Sequence, residues 1–184
     1  MALLAESLVE EWLNREGFFT IRGVRHGVRE MDLIAVRPDP SRVIGWHVEV
    51  QVSFRPVGYI CKLTDEIAAR SGRKKTSAKE RTENELHQCA AEWVHAKFNS
   101  KAKQQVRQHL WPGLTWLPYF VCAEVKDDRE VEIIRKMNIH VIPFHKILYD
   151  LCLSERARFS GSAGGDLAEI VRYFGQWRAA EEYK

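Results

Sequence analysis

Hydrophobic and polar positions recur with two different periods along the first third of the chain. Over 3–15 apolar residues return every three or four positions, with Leu4, Leu8 and Trp12 on one stripe, which predicts an amphipathic helix. Stretches with the two-residue period of a strand follow at 18–24, 28–36 and 43–54. The short connections between them favour antiparallel neighbours. The predicted beginning is therefore a helix followed by three antiparallel strands.

The second half of the chain has the pattern of parallel strands. Nearly continuous apolar runs at 119–125 and 139–144 are typical of strands buried on both faces. Between them, 127–137 begins with acids and ends with bases, as expected of a helix aligned with its macrodipole. A strand, a helix and a strand at this spacing predict a right-handed parallel crossover. A further helix is predicted over 83–98, and 101–110 is interpreted as a basic turn.

Together these elements predict a single α/β domain over 1–184, with a mixed sheet flanked by helices. Its core is expected at about 3–144, with a basic loop insertion at about 55–82 and a helical extension at about 145–184. The glycine-rich stretch 160–165 is interpreted as a linker. The predicted last helix has one apolar stripe, which suits either the core or a homodimer.

Composition narrows the class of protein. Hydrophobic residues make up 45% and charged residues 29% of the 184, which is ordinary for a globular domain. No apolar run approaches the roughly 18 residues of a membrane span. The four cysteines lack C-x-x-C spacing and are interpreted as buried thiols in a reducing compartment. The acidic segment 1–13 is unlike a signal peptide. We therefore expect a cytoplasmic protein that does not contact membranes.

Positive charge is clustered, although the net charge is only +3. The stretch 70–81 contains six basic residues and one acid, and 95–109 contains four Lys or Arg residues and no acid. Such blocks suit a polyanion such as nucleic acid. A solvated charged face is the commoner explanation for either block alone.

Three carboxylates stand out by their positions. Asp32 lies inside a predicted strand between two apolar residues, Glu49 lies in the alternating stretch 46–52, and Glu6 borders the apolar stripe of the first helix. If the second and third strands pair, Asp32 and Glu49 lie side by side and repel each other. Mg²⁺ or Mn²⁺, which prefer hard oxygen ligands, would remove that repulsion. The alternatives are a solvent-facing strand for Glu49 and an exposed helix acid for Glu6.

Three short motifs follow one another within residues 4–55. Glu6, on a helix, precedes Gly17 by eleven positions, and later stretches read Glu30-Met31-Asp32-Leu33-Ile34 and Val48-Glu49-Val50-Gln51. In this order they resemble the core of the PD-(D/E)XK, or restriction-endonuclease-like, nuclease superfamily, in the style of its Holliday-junction-resolvase-like branch. Beyond about residue 55 only the order of elements is similar.

The resemblance implies metal-dependent hydrolysis of phosphodiester bonds in DNA, with RNA as the second choice of substrate. Asp32 and Glu49 would bind Mg²⁺ or Mn²⁺ directly, and the Val50 carbonyl would be a further ligand. Glu6 would hold the metal indirectly or bind a second one. The metal would activate water and stabilise charge on the scissile phosphate.

Gln51 departs from the family pattern, which has Lys at this position. Gln can orient water but brings no charge, and losing one such stabilising group typically costs about 10²–10³ in rate. Either a cation comes from elsewhere in the chain, or the protein is a catalytically inactive module that binds nucleic acid or a partner. The first candidate for that cation is Arg55, which has the strand parity of Glu49 and Gln51, and looser candidates are Lys62, Lys74, Lys75 and Lys97. The candidate contacts to nucleic acid are Arg55, Arg73, Lys74, Lys75 and Lys97.

Overall fold

A computed structural model describes residues 2–26, 29–53, 55, 57–153 and 162–182. The strands are β1 (Phe19–His26), β2 (Arg29–Asp39), β3 (Arg42–Gln51), β4 (Trp116–Cys122) and β5 (His140–Pro143). The helices are α1 (Ala2–Arg15), α2 (Asp65–Ser71), α3 (Glu83–Val94), α4 (Lys101–Leu110), α5 (Asp128–Lys136), α6 (Phe144–Leu153) and α7 (Ser162–Glu182). A single π-helical turn, His95–Asn99, joins α3 to α4.

The described strands form one sheet in the order β1-β2-β3-β4-β5. The first three pair antiparallel, whereas β3, β4 and β5 are parallel to one another. The predicted α/β class with a mixed sheet is therefore confirmed. The predicted parallel crossover is found as β4, α5 and β5.

Two layers of helices cover the two faces of the sheet. One face packs against α1, α6 and α7 through Leu33, Val48 and Val50, and the other packs against α3 and α5 through Phe120. Side chains alternate along a strand. Because Val48 and Val50 face α1, the polar residues His47 and Glu49 face the opposite layer, where the π-helical turn and α4 lie.

Strand β2 is longer than the sequence predicts. Its predicted end is 36, but it pairs with β3 as far as Asp39. Strand β1 pairs with β2 only up to the Phe19–Val36 pair. Beyond that pair β2 is an edge, and an edge accommodates Pro38, which has no backbone N–H to donate.

The interpretation of 101–110 as a basic turn is wrong, because this segment is α4. Lys, Ala, Gln and Arg are good helix formers. The expected apolar stripe is missing because the helix buries a charged residue, Lys103, instead. The hydrophobic pattern alone could not reveal such a helix.

The interpretation of 160–165 as a linker is wrong for residues 162–165, which begin α7. A Cβ atom on Gly164 would lie 2.6 Å from the backbone oxygen of Ser7 and 2.7 Å from the Cβ of Glu11. Glycine at this position therefore allows α7 to pack closely on α1. Residues 160 and 161 lie outside the described part.

The basic insertion at 55–82 contains α2 and is anchored to the core. Glu130 of α5 is fully buried and accepts hydrogen bonds from the backbone N–H groups of Ile60 and Cys61. It also forms an ion pair of 3.3 Å with buried Arg81. These contacts tie the insertion to the layer of α3 and α5.

Three of the four cysteines are buried in the core. Cys61, Cys89 and Cys122 are buried free thiols, as predicted, and Cys152 is half-buried.

The apolar stripe of α7 is only partly covered, since Ile170 is 64% exposed. In the part of the chain that the structure describes, no helix is long and apolar enough to cross a membrane.

Candidate active site

The pairing of β2 with β3 brings two carboxylates to one point of the sheet. The register runs from Asp39–Arg42 to Leu33–Val48, and the next step along it places Asp32 opposite Glu49. Opposite residues of antiparallel strands lie on the same face. Asp32 Oδ2 accepts a hydrogen bond of 2.7 Å from the backbone N–H of Val50, which holds this carboxylate against β3.

Glu49 is the centre of the site and is only 1% exposed. Lys97 Nζ lies 2.7 Å from its Oε2. Its Oε1 lies 3.0 Å from His47 Nε2 and also forms an ion pair with Lys103. Two ammonium groups and an imidazole thus surround one carboxylate. This is the kind of pairing that a buried charge requires.

The two lysines around Glu49 come from the π-helical turn after α3 and from α4. Lys97 lies in the π-helical turn, and buried Phe98 anchors that turn in the core. Lys103 and Arg107 lie four positions apart on α4, and therefore on the same side of the helix. Single π-helical turns occur frequently at functional sites, where they change the direction of neighbouring side chains.

The surroundings of Glu49 keep it ionised. Burial alone would raise its pKa, but the hydrogen bond from His47 and the charges of Lys97 and Lys103 hold the pKa at about 2. Lys97 is held in its charged form in turn. Burial acts against the ammonium group, but the charges of Glu49 and Asp32 raise the pKa of Lys97 above its ordinary value. At neutral pH the two groups are an ion pair.

Asp32 differs from Glu49 in its electrostatic surroundings. Burial and the negative charge of Glu49 raise the pKa of Asp32 to about 6, although Lys97 and the Val50 hydrogen bond lower it. Glu6, half-buried on α1, also has a raised pKa because of burial and acts on the same cluster of charges. The two lysines of the cluster contact Glu49, and burial leaves Asp32 with the higher pKa.

The structure distinguishes Glu6 from the other acids of α1. Glu6 interacts electrostatically with Asp32, Glu49 and Lys97. Glu11, which borders the same apolar stripe, is instead buried and pairs with Arg15 at 2.8 Å. Glu6 thus belongs to the cluster as an outer member.

Gln51 lies at the end of β3 with its side chain exposed. Its amide Nε2 donates a hydrogen bond of 3.0 Å to the backbone oxygen of Ile60, in the loop before α2. The amide therefore holds this loop at the edge of the site. The position of the motif Lys is filled by a group that connects two backbone segments.

The basic residues predicted to contact nucleic acid have different surroundings. Arg73 forms an ion pair with Glu85 at the start of α3, which gives it a structural role. Lys75 is exposed and pairs with Asp65 at 2.6 Å, and Arg55 and Lys74 are exposed. Lys97 lies inside the cluster around Glu49.

A groove leads from the cluster along the basic insertion. It has a volume of about 450 Å³, and its lining includes Gln51, Lys62, Lys75 and Lys97. Lys97 thus has contacts with the carboxylate cluster and with this groove, which we call the lysine groove. A ligand in the lysine groove would contact Lys97, whose ammonium group pairs with Glu49.

Two residues of the site are not singled out by the sequence, and a third has a different role from the one expected. Lys103 and Arg107 stand in the sequence only as part of a basic block, although their spacing of four would place them together on a recognised α4. His47 has the strand parity of Glu49, for which a contact with substrate would be one possible role, but this side chain is 1% exposed and cannot reach a ligand in solvent.

The oxygen donors suit one hard divalent cation. Among the described residues, no three His, Cys, Asp or Glu side chains converge into a metal-binding group. The donor set is therefore the pair Asp32 and Glu49, and Mg²⁺ is commonly held by one or two carboxylates together with water and phosphate. Burial and the charge of Glu49 raise the pKa of Asp32, so a cation beside Asp32 would stabilise its ionised form. Both Glu49 oxygens are paired with Lys97, Lys103 and His47, so a metal ion at Glu49 would displace one of these partners.

No protein-family model and no curated protein matches this sequence. Among solved structures, the chain is similar to the crystal structure of "Protein of Unknown Function AF1548". The TM-score is 0.49 at 11% identity, over 96% of this chain and 97% of that chain. The geometry and charges of the site are therefore the basis for assigning a function.

We predict that Asp32→Asn stabilises the fold in a pH-dependent manner. The folded state raises the pKa of Asp32 from 3.8 to about 6, so ionising Asp32 above pH 6 costs about 2–3 kcal/mol of folding free energy. Asn removes this cost and can still accept the Val50 hydrogen bond. The gain should be full at pH 7–8 and should disappear as the pH falls through 6 towards 4.

Urea unfolding of wild type and Asp32→Asn across this pH range measures the effect. Asp39→Asn, at the exposed end of β2, is the control and should show no such gain. A variant that is no more stable than wild type at pH 8 would contradict the electrostatic description of the site.

Proposed function

We propose that the chain is a metal-dependent nuclease that hydrolyses phosphodiester bonds in DNA. The observation that supports this most strongly is the cluster at the end of β3. There, an ionised buried carboxylate, a second carboxylate with a raised pKa and a protonated lysine meet beside a basic groove. Perturbed ionisable groups concentrated at one point are typical of active sites.

The arrangement of elements supports a restriction-endonuclease-like core for this function. Helix α1 with Glu6 precedes three antiparallel strands, and Asp32 and Glu49 lie on the second and third of these. Helices and then the parallel strand β4 follow, which is the order of elements in the superfamily that the motifs resemble. We propose this core on the order of elements and on the positions of the three acids.

Asp32 and Glu49 would hold Mg²⁺ or Mn²⁺, with the Val50 carbonyl and Glu6 as further candidates. When bound, the metal lowers the pKa of a coordinated water and polarises the scissile phosphate. Glu49 is ready for this role at neutral pH, because its neighbours keep it ionised. Asp32 is ionised at pH values above its pKa of about 6, and a bound metal would favour the ionised form.

Lys97 is our candidate for the charge that Gln51 lacks. It is in contact with Glu49 and lines the lysine groove, so its ammonium group can face both a carboxylate and a phosphate. Gln51 is occupied in holding the loop at Ile60. In this proposal the chain retains a catalytic lysine but supplies it from the π-helical turn.

The alternative is a nucleic-acid-binding module without turnover. The favourable observation is that both oxygens of Glu49 are paired with lysines, so the charge of this carboxylate is balanced by the chain itself. Such a module would bind DNA through the lysine groove and would be insensitive to EDTA.

We predict that the protein cuts at least one form of DNA with Mg²⁺ or Mn²⁺, and that EDTA stops the reaction. Supercoiled, linear, branched and single-stranded DNA should each be tested. Lys97→Met should lower the rate about 10²–10³-fold, because it removes one charge that stabilises the transition state. Gln51→Lys should change the rate only modestly, and Glu49→Gln should eliminate cleavage.

Lys101→Met, an exposed position at the start of α4, is the control and should keep the wild-type rate. Circular dichroism confirms that each variant is folded. Wild type that binds DNA but cuts none of the four forms with either metal would support the binding module instead.

We predict that the lysine groove binds phosphates and gives binding its salt dependence. Lys62→Ala/Lys75→Ala should weaken binding and flatten the slope of log affinity against log salt by about two, because each of the two lysines neutralises one phosphate. Fluorescence anisotropy with catalysis blocked by EDTA measures the slope.

Lys136→Ala/Lys146→Ala removes the same two charges from exposed positions on α5 and α6. Lys146 pairs with Asp150 as Lys75 pairs with Asp65, so the two double variants are well matched. Equal slopes for both variants would mean that the lysine groove does not hold phosphates.

A further inference from the structure

His47 is the middle member of a chain of three polar side chains that ends at Glu49. Its Nε2 lies 3.0 Å from Glu49 Oε1, and its Nδ1 lies 2.9 Å from Arg107 Nη1. The imidazole is buried inside the domain. Neither the proposed metal chemistry nor the lysine groove gives a role to Arg107 or to this ring.

The two partners of the imidazole determine where it carries its proton, because ionised Glu49 can only accept and Arg107 can only donate. A guanidinium group has five N–H donors and no acceptor. Arg107 can therefore only donate to Nδ1, and Nδ1 has to present its lone pair. The ring then carries its proton on Nε2, which donates to Glu49 Oε1. The direction of each hydrogen bond follows from the chemistry of these two partners.

Arg107 is itself fixed by the backbone of the π-helical turn. The same Nη1 atom donates a second hydrogen bond of 2.9 Å to the backbone oxygen of Phe98. The Phe98 ring packs edge-on against His47, with the ring centres 5.0 Å apart. The imidazole is thus held by a hydrogen bond at each nitrogen and by an aromatic ring at its side.

We propose that Arg107 is a positioning residue, which holds the imidazole of His47 at Nδ1 so that the Nε2–H group of His47 fixes the orientation of the Glu49 carboxylate. Oε1 of Glu49 is then occupied by His47 and Lys103, and Oε2 is directed towards Lys97. The catalytic consequence rests on the proposed nuclease function. The hydrogen-bond chain itself does not, and it can be measured separately.

Nitrogen NMR of the imidazole tests the chain in the wild-type protein. The seven histidines are labelled with ¹⁵N, and His47 is recognised by the proximity of its ring protons to Phe98 and by the loss of its signals in His47→Gln. We expect a protonated shift at Nε2 and an unprotonated shift at Nδ1, at neutral pH and without metal. A ring protonated at Nδ1, or at both nitrogens, would overturn the proposal.

Substitution of Arg107 tests its positioning role. Arg107→Met should leave Nδ1 without its donor, so that the Nδ1 shift moves away from its wild-type value while Nε2 keeps its proton towards Glu49. The cleavage rate should fall about 10–100-fold, the usual effect of removing a group that holds a metal ligand in place without touching the metal. Arg107→Lys, which keeps a donor, should restore part of the Nδ1 shift and part of the rate.

Gln108→Met, at an exposed position on the same helix, is the control and should leave both readouts unchanged. An Arg107→Met variant whose Nδ1 shift and cleavage rate both equal those of wild type would overturn the positioning role. Absence of cleavage by wild type would instead overturn the proposed function. In that case the nitrogen shifts of wild type and Arg107→Met still decide whether Arg107 fixes the ring.

Discussion

The buried negative charge of Glu49 determines how this protein is built around the end of β3. A carboxylate cannot be moved out of water without partners. The chain meets this requirement with Lys97 from the π-helical turn and Lys103 from α4, and with His47 from the same strand. These contacts tie the helices of one layer to the sheet. The π-helical turn places Lys97 beside Glu49, and α4 buries Lys103 against the same carboxylate. Both unusual features therefore surround the buried charge of Glu49.

The two carboxylates of the cluster differ in their electrostatic surroundings. Burial and the charge of Glu49 raise the pKa of Asp32 to about 6, whereas the hydrogen bond from His47 and the charges of Lys97 and Lys103 hold the pKa of Glu49 at about 2 despite its burial. A site in which every acid were already neutralised would have little use for a metal ion. Here a divalent cation would relieve the excess negative charge at Asp32, so the asymmetry favours metal binding on the Asp32 side.

The hydrophobic pattern predicted α1 and the antiparallel strands, because each buries one apolar face with a regular repeat, and it predicted the crossover of β4 and β5 from continuous apolar runs. It failed at α4, where the buried side is polar and Lys103 replaces the apolar residue that the pattern requires. Local sequence also could not show that Arg73 pairs with Glu85, or that Gln51 holds the loop at Ile60, because both partners come from elsewhere in the chain. The juxtaposition of Asp32 and Glu49 was predictable, because it follows from the pairing of neighbouring strands.

We propose, above all, that Asp32 and Glu49 together hold one divalent cation. Calorimetric titration of Mn²⁺ into the folded protein tests it most directly, with wild type and Asp32→Ala compared at neutral pH. We expect wild type to bind one Mn²⁺ ion weakly. Asp32→Ala should bind none, although it remains folded and is no less stable than wild type. Equal Mn²⁺ binding by the two proteins would contradict the account and place the metal, if any, elsewhere.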